Sequence, residues 1–188
     1  MQLRHTILLA AALGTLLAVA LRPEQHVDAA PAPAPDAPGC PHSGKLPRPA
    51  AIEKTRAAVL CLLNAERAKH GLHPLERNLL LELSSQRHSD DMATRKFFSH
   101  DTPEGTDPQA RMKAEGYPLP WTGENLYMGT NAAASPVEAL DGWMNSPGHR
   151  ANILRPQFTQ VGVGVAYSSA KPGDPDPAGV YTTNFGGP

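Results

Sequence analysis

The chain has 188 residues, with 17 Lys plus Arg against 18 Asp plus Glu and a net charge of −1. That balance excludes a protein built to coat nucleic acid or an anionic membrane. All of its aromatic residues, 4 Phe, 2 Trp and 4 Tyr, lie between residues 97 and 185, and many of its 20 prolines crowd the first 50 positions.

The front end reads as an address. Arg4 and His5 precede an uncharged run over residues 6–21. That run is short for a membrane span of ~20 residues and suits a secretory leader. Ala18-Val19-Ala20 offers a cleavage site, and Val27-Asp28-Ala29 a second, so residues 1–29 are expected to be a signal peptide. Residues 30–49 read as a proline-rich linker, because Ala-Pro alternation at Pro31, Pro33 and Pro35 favours extended polyproline II. Residues 50–188 are long enough for one domain. The reading is of a secreted, extracellular protein with no stable transmembrane segment after processing. Cys40 and Cys61 would both survive it. An even count in an exported chain suggests a disulfide. The alternative is a buried Cys61 and a free Cys40.

Residues 51–70 carry Ile52, Val59, Leu60 and Leu63 at helical spacing, with Glu66 and Arg67 on the other side and Gly71 as the stop. A second helix is expected over 79 to about 96, striped by Leu79, Leu80, Leu83 and Met92, with His100 at its end. Asp107 and Pro108 open a third, short one that Gly116 closes. Ser135-Pro136-Val137-Glu138 has the form of a capping box for a fourth helix through Trp143. A further turn over 149–154 ends before Pro156. The period then changes to two. Val161, Val163, Val165 and Tyr167 alternate with Gly162, Gly164 and Ala166, a strand with one bulky and one bare face. The bare face invites close approach by a helix or a ring. A loop over 171–179 and a strand over 180–185 complete a hairpin. Helices first and a hairpin last point to α+β, as an αβα three-layer sandwich with a mainly antiparallel central sheet.

Signatures of nucleophile elbows, phosphate loops, zinc helices and redox dithiols are absent from the sequence. Three polar residues stand in unusual settings: His100 after two phenylalanines, Glu124 in Thr122-Gly123-Glu124-Asn125, and His149 behind Pro147-Gly148. Two imidazoles and a carboxylate are the ligand set of a hydrolytic zinc centre. Their spacing is no metal motif, and each is equally readable as a satisfied structural residue.

The chain resembles the CAP superfamily of cysteine-rich secretory, antigen 5 and pathogenesis-related proteins. The blocks that carry the resemblance run in order over the domain. They are Leu63-Asn64-Ala65-Glu66-Arg67, His88-Ser89-Asp90-Asp91-Met92-Ala93, Phe97-Phe98-Ser99-His100, Arg111-Met112, Gly123-Glu124-Asn125-Leu126, Trp143-Met144-Asn145-Ser146-Pro147-Gly148-His149 and Gly162-Val163-Gly164-Val165. The resemblance implies an αβα sandwich with a cleft lined by two histidines and two glutamates. By position these are His100, His149 and Glu124, with Asn125 beside them; the second glutamate's place holds Ser146. Two functions are then open. One is a binding module for a small-molecule, lipid or cell-envelope ligand. The other is a divalent-metal hydrolase, with zinc on His100, His149 and Glu124 and the last as candidate catalytic base. Nucleic acid is not an expected partner.

Overall fold

The structure is a computed structural model, and it describes residues 34–118, 120–169 and 177–188. The expected leader, Pro31 and Pro33, and most of the loop before the last strand lie outside these residues. The chain runs α1 (Ile52–Lys69), β1 (Glu76–Arg77), α2 (Leu79–Arg95), α3 (Pro108–Ala114), β2 (Trp121–Thr130), α4 (Pro136–Met144), α5 (Pro147–Ile153), β3 (Gln160–Ser169) and β4 (Pro177–Gly187). The sheet order is β1-β3-β4-β2. β1 pairs with β3 in parallel; β3 with β4 and β4 with β2 are antiparallel. This is the α+β sandwich expected from the sequence.

The two faces of β3 decide the layers. Val161, Val163 and Val165 join Val59, Leu63, Trp143, Ile153, Tyr181 and Phe185 in the main core, under α1, α4 and α5. The other face is bare so that α2 can lie on it. A Cβ on Gly162 would meet the Glu82 nitrogen at 2.1 Å, and one on Gly164 the Ser85 carbonyl at 2.2 Å. At such proximity α2 carries small side chains. Ser85 Oγ donates to the Gly162 carbonyl at 3.0 Å and accepts from Asn184 N at 3.2 Å, while Ser89 Oγ donates to Thr182 Oγ1 at 2.8 Å. Each buried hydroxyl thus has a partner in the sheet, as a dry interface requires.

Three local expectations change. Arg67 does not decorate the solvent side of α1; it is 1% exposed. Its guanidinium donates to the carbonyls of His73, Ile153, Arg155 and Phe158, tying the end of α1 to the α5–β3 connection. Four carbonyl dipoles satisfy a buried cation without a carboxylate. The capping box at Ser135 does not form, and Ser135 Oγ is buried with no partner among the described residues. The orphan N–H of Val137 donates instead to the carbonyl of Ser43 at 2.9 Å. Finally, α2 stops at Arg95, with Lys96 in the left-handed region, so His100 stands in the following loop and not at the helix end.

Ser43 belongs to the segment read as linker, whose described part folds as a strap. Asp36 accepts from the backbone N–H groups of His42 and Gly44, Ser43 is buried, and Cys40 is bonded to Cys61 of α1. The disulfide is therefore present. Those two N–H groups also hold the Asp36 carboxyl below its ordinary value. Among the described residues no helix is long and apolar enough to cross a membrane.

Candidate functional site

β2 is an edge strand, pairing with β4 over its whole described length. Its exposed edge is closed by side chains from α4 and α5. Trp143 Nε1 donates to the Leu126 carbonyl at 2.9 Å. Asn152 Nδ2 donates to Asn125 Oδ1 at 2.9 Å and to the Glu124 carbonyl at 3.3 Å. Asn125, buried, spends its own amide on the His149 carbonyl at 3.0 Å. It therefore braces α5 and offers nothing to a ligand. Arg150 turns away from the sheet to His70 Nε2 at the end of α1.

Glu124 points from β2 toward α3. Its side chain is 2% exposed and both its oxygens are engaged. Oε1 accepts from His100 Nδ1 at 2.9 Å, and Oε2 accepts from Arg111 Nη2 at 2.8 Å. Arg111 also fixes the loop that carries His100: its Nη1 donates to the carbonyls of His100 at 2.7 Å and Thr106 at 2.9 Å. Nothing in the sequence flags Arg111 as a site residue. Its only signal is its place in a matching block, because a pairing across 13 positions has no local period.

The hydrogen bond to Glu124 raises the pKa of His100, and the nearby carboxylate outweighs the cost of partial burial. His149, half-buried and with no ring hydrogen bond among the described residues, is shifted the other way, by burial and then by the charge of His100. The two imidazoles are thus driven apart in acidity. With Nδ1 held, His100 presents Nε2 outward from a ring whose side chain is 52% exposed. Beside it a cavity of about 130 Å³ opens between Pro108 and Gln109 of α3 and Thr122 and Gly123 of β2.

His100 and Glu124 are therefore brought together, and His149 lies near them without joining them. Among the described residues no three His, Cys, Asp or Glu side chains are placed to hold a metal ion. Within the expected zinc set of His100, His149 and Glu124, the carboxylate of Glu124 is engaged by His100 and Arg111. Ser146, at the start of α5, adds no carboxylate.

The sequence profile of the cysteine-rich secretory protein family matches residues 60–185, which holds every residue of this cleft. The chain belongs to the CAP family. YkwD of Bacillus subtilis, itself uncharacterized, is 38% identical over 122 residues, covering 65% of this chain and 46% of that protein. An extracellular SCP-domain protein of Bacillus anthracis superposes with a TM-score of 0.61 at 30% identity, over 76% of this chain and 44% of that one. A cysteine-rich secretory protein of Staphylococcus aureus, SAV1118, shares the fold with a TM-score of 0.56 at 19% identity, over 73% and 40%. This CAP chain spans less than half the length of each of these relatives.

Proposed function

We propose that this CAP domain is a secreted, extracellular binding module whose cleft at His100, Glu124 and His149 holds a small polar ligand of the cell envelope. One observation carries the reading. Both oxygens of Glu124, a side chain 2% exposed, are engaged by His100 and by Arg111. A general base needs a free lone pair within reach of the proton it takes. The lone pairs left on Glu124 belong to a side chain that is 2% exposed and already held by two N–H donors, so its role is to orient His100, and His100 Nε2 and the His149 ring are the groups a ligand would meet. The neighbouring cavity of about 130 Å³ suits a small polar group and is too small for a long acyl chain.

Export rests on the sequence of residues 1–29, on the disulfide, which suits an oxidising compartment, and on the extracellular relative from Bacillus anthracis. The test is an NMR titration of the labelled protein with muramidase-released peptidoglycan fragments, repeated with His100→Ala. Shifts confined to residues around His100, Gln109, Thr122 and His149, and lost in the variant, are expected. Zinc-dependent turnover of an ester or amide panel, lost in the same variant, would replace this reading with the hydrolase.

A further inference from the structure

A groove of about 380 Å³ lies at the foot of α1, between the strap and the first helical turn, far in sequence from the His100 cleft. Its lining is His42, Lys45, Leu46, Arg48, Ala51 and Lys54. Lys45, Arg48 and Lys54 are permanent cations and all three are exposed. None of them makes an ion pair among the described residues, whereas Arg56, Arg77, Arg87, Arg95 and Arg111 each meet a carboxylate. No acidic residue lines the groove. The two nearest in sequence are engaged by other donors, with Asp36 still in electrostatic reach of Lys45 and His42. Asp36 accepts the His42 and Gly44 N–H groups, and Glu53 faces Arg56 and Arg77.

The cations stand on a fixed frame. The Cys40–Cys61 disulfide fastens the strap to α1, and the Ser43 carbonyl fastens it to α4. α1 opens at Ala51, on the rim, with no side chain capping it. The positive end of its dipole adds to the field of the three side chains. In a chain of net charge −1 this is a concentrated patch of the opposite sign.

We propose that this groove is a docking site for a linear polyanion bearing closely spaced phosphates. Lys45, Arg48 and Lys54 would contact successive phosphates while Leu46 and Ala51 floor the channel. The shape selects a strand over a membrane. A planar anionic surface is met by an outward basic face with aromatic side chains inserted at the interface. Here the cations line a concavity, and every aromatic residue lies beyond position 96. The site is independent of the His100 cleft.

The test titrates the purified full chain with three probes: inorganic polyphosphate, orthophosphate, and vesicles of anionic phospholipid. Binding of polyphosphate of about 20 units is expected, with log K falling against log salt at a slope of about −2, as three released counterions require. Orthophosphate should bind too weakly to compete. Lys45→Glu, Arg48→Glu and Lys54→Glu should each lower affinity about fivefold or more, and the triple variant should abolish binding with an unchanged unfolding midpoint. Lys113→Glu, on the exposed side of α3, and His100→Ala should bind as the parent does. Absence of polyphosphate binding at low salt, retention of it by the triple variant, or a vesicle affinity that exceeds it overturns the proposal.

Discussion

His88 Nε2 lies 2.9 Å from the carbonyl oxygen of Ser99. A carbonyl only accepts, so Nε2 carries the proton and the neutral ring is the one that fits. Nδ1 is buried with no partner among the described residues, and the ring meets Phe97 edge-on with centroids 5.9 Å apart. His88 is thus a strut from α2 to the loop that presents His100. Burial lowers its pKa, against the pull of Glu124 and Asp91 and with the push of Arg111. A histidine depressed in the fold contributes stability that is fully present above its unfolded value of ~6.5 and is lost as pH falls toward the folded value. The urea midpoint should drop as the pH is lowered below ~6.5, and the drop should be smaller in His88→Phe by the share that His88 supplies. An equal drop in both proteins would remove His88 from this role.

The Glu124–Arg111 pair should behave as a buried unit. The side chains are 2% and 11% exposed. Removing one partner leaves the other charged and dry, a loss of about 3–5 kcal/mol for a fully buried pair and somewhat less where water reaches Arg111. Arg111→Leu is therefore expected to destabilise the domain by about 3 kcal/mol in chemical denaturation. Arg111→Lys should recover only part of that loss, because one ammonium cannot span Glu124, His100 and Thr106 together. A substitution to leucine that costs less than about 1 kcal/mol would show the pair to be solvated.

Glu124→Gln isolates the electrostatic part. In the parent the proton should bind His100 before His149 as the pH falls, since the fold raises the first and lowers the second. The amide keeps an acceptor but loses the charge, so the His100 value should fall toward that of an ordinary imidazole. Imidazole proton resonances followed across pH measure both rings separately. If His100 titrates identically in the variant, Glu124 does not set its proton affinity.

The order of helices and the β3–β4 hairpin were legible because each carries a period of its own, and Gly162 and Gly164 announced a close approach by their missing side chains. β2 was not legible. Its sequence interrupts alternation with Gly123, Glu124 and Asn125, the residues that serve the cleft, so function masks the strand. β1 is two residues long and has no period to find. In the site, His100, Glu124 and His149 stand out by their local settings and by the matching blocks, which name residues but carry no distances. The commitment of Glu124 to Arg111, the strut at His88 and the capping of α4 by Ser43 are contacts between distant segments. No local pattern encodes them.

The β3–α2 interface should be intolerant of a single methyl. At Gly162 the added carbon would stand 2.1 Å from the Glu82 nitrogen and 2.1 Å from the Leu81 carbonyl carbon, both backbone atoms of a helix that cannot give way locally. Overpacking of this kind costs about 1–3 kcal/mol, and more where backbone must move. Gly162→Ala should lower the urea midpoint without changing the slope. Gly148→Ala is the control, since nothing lies within 4 Å of a Cβ there. Equal midpoints in the two variants would mean that α2 is not seated on the bare face of β3.

The disulfide gives a last expectation that joins fold to surface. It links Cys40 to Cys61 across 21 positions, and a loop of that size stabilises by about 3 kcal/mol through the unfolded chain. Reduction, or Cys40→Ser with Cys61→Ser, should therefore lower the unfolding midpoint by several degrees. The strap would keep its Ser43–Val137 bond but lose its covalent hold on α1, so amides of residues 36–48 should exchange faster than those of α2. The His100 and His149 titrations should not move, because among the described residues no strap side chain bonds to either ring. Exchange that rises uniformly through the domain would instead make the bridge part of the core.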